Sequence, residues 1–157
     1  PAPLSSDQLA ASKAHVEELL NRKGDQNLYR LRQELRSTMD QYAGVYRTGE
    51  GLAKALEMIR EIKDRSTRAP VADKSKVYNS NLFHALELEN LLDLAEVTVA
   101  GALTREESRG AHSRRDFVAR DDETWMRHTL AWRTDTGPRL DYKPVTITTW
   151  NPVERKY

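Results

Sequence analysis

Residues 81–107 have the sequence NLFHALELENLLDLAEVTVAGALTREE, the most apolar segment of the chain. Leucine, valine and alanine recur in it at spacings of three and four residues, which predicts one long α-helix. Its apolar side chains point in most directions instead of forming one stripe, so we expect other elements to surround this helix. Leu92 lies near its centre and is predicted to be fully buried.

Three amphipathic segments precede this helix. The first begins with the capping-box pair Ser5 and Gln8, carries Leu9 on its apolar side and ends at Gly24. The second and third, at about 25–43 and 51–65, each carry one apolar stripe. A polar linker, 66–79, leads into the apolar helix. The fold class predicted is mainly α: a three-helix antiparallel bundle with an additional N-terminal helix.

The pattern changes after the last helix. Residues 108–117 have no period and are rich in arginine, which predicts an ordered loop. Residues 124–133 and 139–149 then alternate in polarity around an Asp/Gly turn, which predicts a β-hairpin, and 151–157 should form an extended tail. We therefore expect a helical bundle over 1–109, and over 110–157 a loop, hairpin and tail packed on it, as one domain.

Composition excludes several classes of function. The chain has 25 Lys+Arg against 24 Asp+Glu, so charge gives no reason to expect nucleic acid or an anionic membrane as a partner. It has no cysteine, which excludes disulfides and thiolate-ligated metal sites within it. The longest apolar run, 91–103, contains Asp93 and Glu96 and is too short to span a bilayer.

Sequence motifs for catalysis are missing. We find no glycine-rich phosphate loop, no nucleophile elbow and no histidine pair at metal-binding spacing, and so predict no catalytic, cofactor-binding or metal-binding residue in this chain. His15 and His84 should be surface or packed helix residues, and His128 a packed strand residue. The acidic run 121–123 lacks the alternating oxygens and central glycine of a calcium loop, so a turn or arginine pairing is expected.

The arginine-rich loop is the candidate site. Its arginines could bind a carboxylate or phosphate, but nearby acidic residues almost cancel their charge. These acidic residues are Glu106, Glu107, Asp116, Asp121 and Asp122. We therefore favour a structural role, in which the loop pairs with these acidic residues and docks the domain to a larger protein. The candidate docking residues are Arg109, His112, Arg114, Asp116 and Arg120.

The same loop carries a family resemblance that extends from about Leu31 to Tyr157. The chain resembles the C-terminal part of the flavoprotein subunit of succinate dehydrogenases and fumarate reductases. The motifs that carry this resemblance are Glu107-Ser108-Arg109-Gly110-Ala111-His112-Ser113-Arg114, Asp116-Phe117, Arg120-Asp121-Asp122, His128-Thr129-Leu130 and Pro152-x-x-Arg155-x-Tyr157.

The resemblance implies a spectrin-repeat-like bundle that follows FAD-binding and capping domains. It implies that FAD and the dicarboxylate substrate are held by those other domains, so that this fragment alone holds no cofactor and should be inactive. The implied partners are the FAD-binding domain of the same polypeptide, an iron–sulfur subunit and membrane anchor subunits. The implied location is peripheral, on the cytoplasmic side of the inner membrane.

Two alternatives remain open at this point. L-aspartate oxidase-type flavoproteins have a similar C-terminal bundle, and amphipathic helices alone would also suit a stand-alone helical interaction module. The chain starts Pro1-Ala2-Pro3-Leu4 without methionine, from which we expect a piece of a longer polypeptide, although a processed terminus would look the same.

Overall fold

The computed structural model describes residues 5–153; Pro1–Leu4 and Glu154–Tyr157, including the end of the expected tail, lie outside the described residues. The described part is mainly helical and ends in a β-hairpin, which confirms the predicted fold class. Its elements are α1 (Ser6–Asn21), α2 (Leu28–Tyr42), β1 (Tyr46–Arg47), α3 (Gly49–Ser66), α4 (Ser80–Thr104), β2 (Ser113–Arg114), α5 (Asp122–Trp125), β3 (Arg127–Thr134) and β4 (Gly137–Pro144).

Polar side chains start each of the long helices. Ser5, Asn27, Thr48 and Asn79 occupy the N-cap positions, and each accepts a hydrogen bond from a backbone amide of the first turn. Ser5 forms the predicted capping box with Gln8. Helix α2 begins at Leu28, later than the predicted residue 25. The side chain of Asn27 accepts a hydrogen bond from the backbone amide of Arg30, which makes Asn27 the N-cap and fixes the start of the helix.

Helices α2, α3 and α4 form the bundle. Arg32 near the start of α2 contacts Glu87 near the start of α4 (2.8 Å), whereas Arg65 at the end of α3 contacts Glu34 near the start of α2 (2.7 Å). Helix α3 therefore runs antiparallel to its two neighbours. The core side chains between them include Leu31, Leu35, Leu52, Ile59, Leu88, Leu92 and Val99. Leu92 is 1% exposed, which confirms its predicted burial.

Helix α1 packs at the N-terminal half of α4. Leu19 and Leu20 are buried there, and the Nε2 atom of His15 lies 2.7 Å from a carboxylate oxygen of Glu89. The prediction of a buried apolar side on α1 is correct for Leu20 but wrong for Leu9, which is exposed. The first half of α1 extends beyond the elements that could cover it.

Helix α4 differs from its prediction in one respect. Phe83, Leu91 and Leu94 are exposed, so the expectation that other elements surround the helix completely was wrong. Helices α1, α2 and α3 and the hairpin contact α4 but leave part of its circumference open.

The hairpin pairs β3 with β4 in antiparallel register from Arg127↔Pro144 to Thr134↔Gly137. The predicted strands 124–133 and 139–149 were wrong at their outer ends. Asp121 caps the short helix α5, which delays β3 until Arg127, so β4 has no partner strand beyond Pro144. His128 is exposed and not packed as expected, because the β3 face that contacts α4 carries Thr129, near Gly101, and Arg133, which pairs with Asp93.

Candidate docking site

Arg114 connects the arginine-rich loop to the end of α4. Its side chain is 2% exposed. The Nη1 atom donates to the carbonyl oxygens of Ala102 (3.0 Å), Leu103 (3.0 Å) and Arg105 (3.2 Å). Carbonyl groups in the last turn of a helix lack intrahelical hydrogen-bond donors, and they carry the partial negative charge of the helix C-terminus. A guanidinium group at this position supplies both the missing donors and a compensating positive charge. Arg114 is thus a C-terminal cap supplied from ten residues beyond the helix.

Asp116 connects the same arginine to α3. Its two carboxylate oxygens each accept a hydrogen bond from Arg114, from Nε and from Nη2, both at 2.8 Å. Oδ2 also accepts from the backbone amide of Gly49, at the start of α3 (2.8 Å). The hydrogen bonds from Arg114, together with the Gly49 amide, hold the pKa of Asp116 far below its usual range. Asp116 therefore stays ionised at the positive end of α3.

Glu107 is the buried centre of the other half of the loop, with a fully buried side chain. Oε1 accepts from Arg105 (2.6 Å) and Arg109 (2.8 Å), and Oε2 accepts from Arg109 (2.9 Å) and the backbone amide of Asp121 (3.0 Å). Burial alone would raise the pKa of Glu107, but these donors outweigh it and the pKa lies below its usual value. Pairing with Glu107 was expected from the sequence; its complete burial was not.

His112 is held in one neutral tautomer. Its Nδ1 atom lies 3.0 Å from Nη1 of Arg47, which can only donate, and its Nε2 atom lies 3.1 Å from the carbonyl oxygen of Arg105, which can only accept. The proton therefore sits on Nε2. Burial lowers the pKa of His112, and the positive charges of Arg47, Arg114 and Arg105 lower it further. Because His112 is neutral and both of its ring nitrogens are hydrogen-bonded, it cannot bind a carboxylate as a cation.

Arg109 and Arg120 both contact Asp122, each at 2.7 Å. Arg120 also donates a hydrogen bond to the carbonyl oxygen of Val153, which connects the described end of the tail to this segment. The structure thus places all five candidate residues in the segment 109–120, which contains the loop, and gives each a partner within the chain. Asp116 and Arg120 lie at its exposed surface, whereas Arg114 lies inside.

Two residues of this site had not been singled out from the sequence. Arg105 donates to the carbonyls of Trp125 (3.1 Å) and Arg127 (2.7 Å), which joins the hairpin to the end of α4. Arg47 reaches His112 only because β1 pairs with β2 in parallel. No local pattern in the sequence indicates these contacts, since Trp125 lies 20 residues from Arg105 and His112 lies 65 residues from Arg47.

The N-terminus of α3 is not free to bind a phosphate group. Strand β1 runs into α3 through Thr48 and Gly49, an order of elements that can bind phosphate at a helix N-terminus. Here the amide of Gly49 donates to Asp116, and that of Gly51 donates to Thr48. Both amides are already occupied by groups of the chain itself.

Within residues 5–153 there is neither a cluster of metal-binding side chains nor a membrane-spanning helix. In this part of the chain, no three or more His, Asp or Glu side chains are grouped as metal ligands would be. No helix of the same part has both the length and the hydropathy needed to cross a bilayer.

A solved structure of the FrdA chain of E. coli quinol fumarate reductase, a mutant form, superposes on this fold with a TM-score of 0.88 and 34% sequence identity. The match covers 98% of this chain but 27% of FrdA. The fold is therefore that of one domain within a much larger oxidoreductase chain.

The family is shown by the sequence. The family model described as "Fumarate reductase flavoprotein C-term" matches residues 32–157, and the chain belongs to this family. It is 44% identical over 148 residues to the succinate dehydrogenase flavoprotein subunit of Rickettsia bellii, covering 94% of this chain and 25% of the relative. It is also 44% identical over 136 residues to the fumarate reductase flavoprotein subunit of Mycobacterium tuberculosis, covering 86% and 23%. The chain thus spans about a quarter of the length of these relatives.

Proposed function

We propose that this chain is the docking domain of a flavoprotein subunit that interconverts succinate and fumarate and passes electrons through FAD to an iron–sulfur subunit. The observation that carries the proposal is the family match over residues 32–157. FAD and substrate are held by the rest of the subunit, and this chain alone is inactive. Its partners are the FAD-binding domain of the same polypeptide, the iron–sulfur subunit and the membrane anchor subunits, on the cytoplasmic side of the inner membrane.

The arginine-rich loop forms the proposed docking surface. Arg114 and Glu107 fix its shape from inside, and Arg109 and His112 add further internal contacts. A surface that is already rigid loses less conformational entropy when it binds, which favours a permanent contact. Val118 on the loop and Val45 and Tyr46 beside β2 expose apolar surface that another domain could cover.

Arg120→Ala and Arg114→Ala in the full flavoprotein subunit test this proposal. Arg120 lies at the exposed rim, so its replacement should leave the thermal midpoint of the 157-residue chain unchanged yet lower the flavin content and assembled yield of the subunit. Arg114→Ala should lower both the stability of the chain and assembly. Arg133→Ala is the matched control, because Arg133 is an arginine of β3 that lies outside the loop and has an 88% exposed side chain.

Steady-state kinetics on the assembled fraction separates docking from substrate binding. We expect a near-normal Michaelis constant for succinate. Normal assembly and flavin content with a greatly raised Michaelis constant would make the substituted arginine a substrate ligand and would contradict docking. The placement of FAD outside this chain has its own test: stoichiometric flavin that stays with the purified chain through gel filtration would refute it.

A further inference from the structure

An apolar groove lies between α2 and α4. It has a volume of about 580 Å³. Leu35, Met39, Leu91, Leu94 and Ala95 supply its apolar lining. The side chain of Leu94 is 64% exposed in it. Single exposed leucines are common on protein surfaces, but several apolar side chains that share one concave face are typical of a binding surface.

The groove lies along the side of α4 that the other described elements leave uncovered. This helix carries apolar residues on all faces, a pattern typical of a helix that is covered all round. Within the described chain, Leu91 and Leu94 are left uncovered, at the face where α2 and α4 run parallel. The sequence of α4 therefore specifies one more packing partner than the described residues supply.

The charges at the rim of the groove are compensated. Arg32 is paired with Glu87 (2.8 Å) and Arg36 lies 3.7 Å from Asp40. Because each rim arginine has an acidic neighbour, the groove presents no excess positive charge to a nucleic acid or an anionic membrane. An uncharged apolar segment of protein fits this surface best.

We propose that the groove between α2 and α4 binds an apolar segment from the flavin-bearing part of the same subunit. The inference rests on the proposed function and adds a second contact to the loop. The chain covers 25% of its Rickettsia relative, so about three quarters of such a polypeptide would lie outside it.

A second copy of the chain fits the groove less well. Ten residues line it, so a second copy would need further contacts outside the groove to reach the roughly 20–30 residues per side of a stable interface between separate proteins. A segment on the same polypeptide has a high effective concentration, so a small surface is enough to hold it.

Cysteine labelling at chosen positions tests the proposal, because the 157 residues contain no cysteine that would react beside the introduced one. Leu94→Cys places a thiol in the groove. Phe83→Cys is the matched control, because Phe83 is 59% exposed on the same helix but does not line the groove. In the full flavoprotein subunit, maleimide modification at position 94, followed by mass spectrometry of its peptide, should be at least about ten-fold slower than at position 83. In the 157-residue chain alone the two positions should react at similar rates.

Equal modification of the two positions in a flavin-loaded, active subunit would overturn the groove inference and leave the proposed function standing. Slow modification at position 94 in the chain alone would also overturn it, because the groove would then be covered without the flavin-bearing part. A photoreactive residue at position 94 identifies the occupant: cross-links to the flavin-bearing part support the proposal, and cross-links to a second copy or another subunit overturn it. A full subunit without flavin or succinate–fumarate turnover would instead contradict the proposed function.

Discussion

Replacing Arg114 by alanine removes the residue that joins the ends of α3 and α4. Its guanidinium group donates five hydrogen bonds, three to carbonyls at the end of α4 and two to Asp116. Removing one partner of a buried ion pair costs about 3–5 kcal/mol. Asp116 is partly exposed, so water can replace part of what it loses. We therefore expect the free energy of unfolding to fall by about 3 kcal/mol, the lower end of that range.

Urea unfolding of the 157-residue chain measures this loss. The midpoint should fall while the slope m stays constant, because the native surface is unchanged. In a thermal scan the midpoint should fall by roughly 6–12 °C, at about 2–4 °C per kcal/mol for a chain of this size. Arg115→Ala, at an exposed position on the same loop, should stay within about 0.5 kcal/mol of the unsubstituted chain. A loss below about 1 kcal/mol for Arg114→Ala would refute the capping role.

Two further predictions concern the core and the loop histidine. Leu92→Ala should lower the free energy of unfolding by about 2–5 kcal/mol through a cavity, whereas Leu94→Ala, at an exposed position, should change it by about 0.5 kcal/mol or less; equal losses in urea would show that α4 is packed differently. The pKa of His112 is lowered on folding, so the folded state resists protonation and loses stability as pH falls below the unfolded value of about 6.5. The stability of the unsubstituted chain relative to His112→Gln should therefore decrease from pH 7.5 to 5.5, and a difference that does not change with pH would contradict the neutral tautomer.

The helices of this fold could be predicted because their signals are local. The spacing of apolar residues located α2, α3 and α4, and polar caps such as Ser5 marked helix starts. The end of α4 was placed too late, at 107 instead of Thr104. The residue that binds the last carbonyls is Arg114, which follows the helix after a loop, so periodicity within the helix gives no signal for it.

The pairing of charges within the loop could be predicted from the sequence, but the geometry of the loop could not. The acidic residues near the arginines in sequence indicated pairing, and Glu107, Asp116 and Asp122 do form these pairs. The connection of Asp116 to Gly49 spans 67 residues and depends on how α3 and α4 pack. Contacts of this range follow from the tertiary fold, and one sequence alone does not report them.

The signs of the two loop charges connect the proposed docking surface to the folding of the bundle. Helix α3 begins at the end of the bundle where α4 finishes, so a positive and a negative helix terminus lie close together. Asp116 binds the first and Arg114 binds the second, and the two side chains also bind each other. Each charge therefore stabilises a helix terminus as well as its partner. Because the bundle fixes the loop in this way, a substitution that shifts α3 against α4 should displace the exposed residues of the proposed docking surface even without touching them. The effect of core variants such as Leu92→Ala on flavin retention in the full subunit should accordingly exceed that of exposed variants on α1, which contacts neither charge.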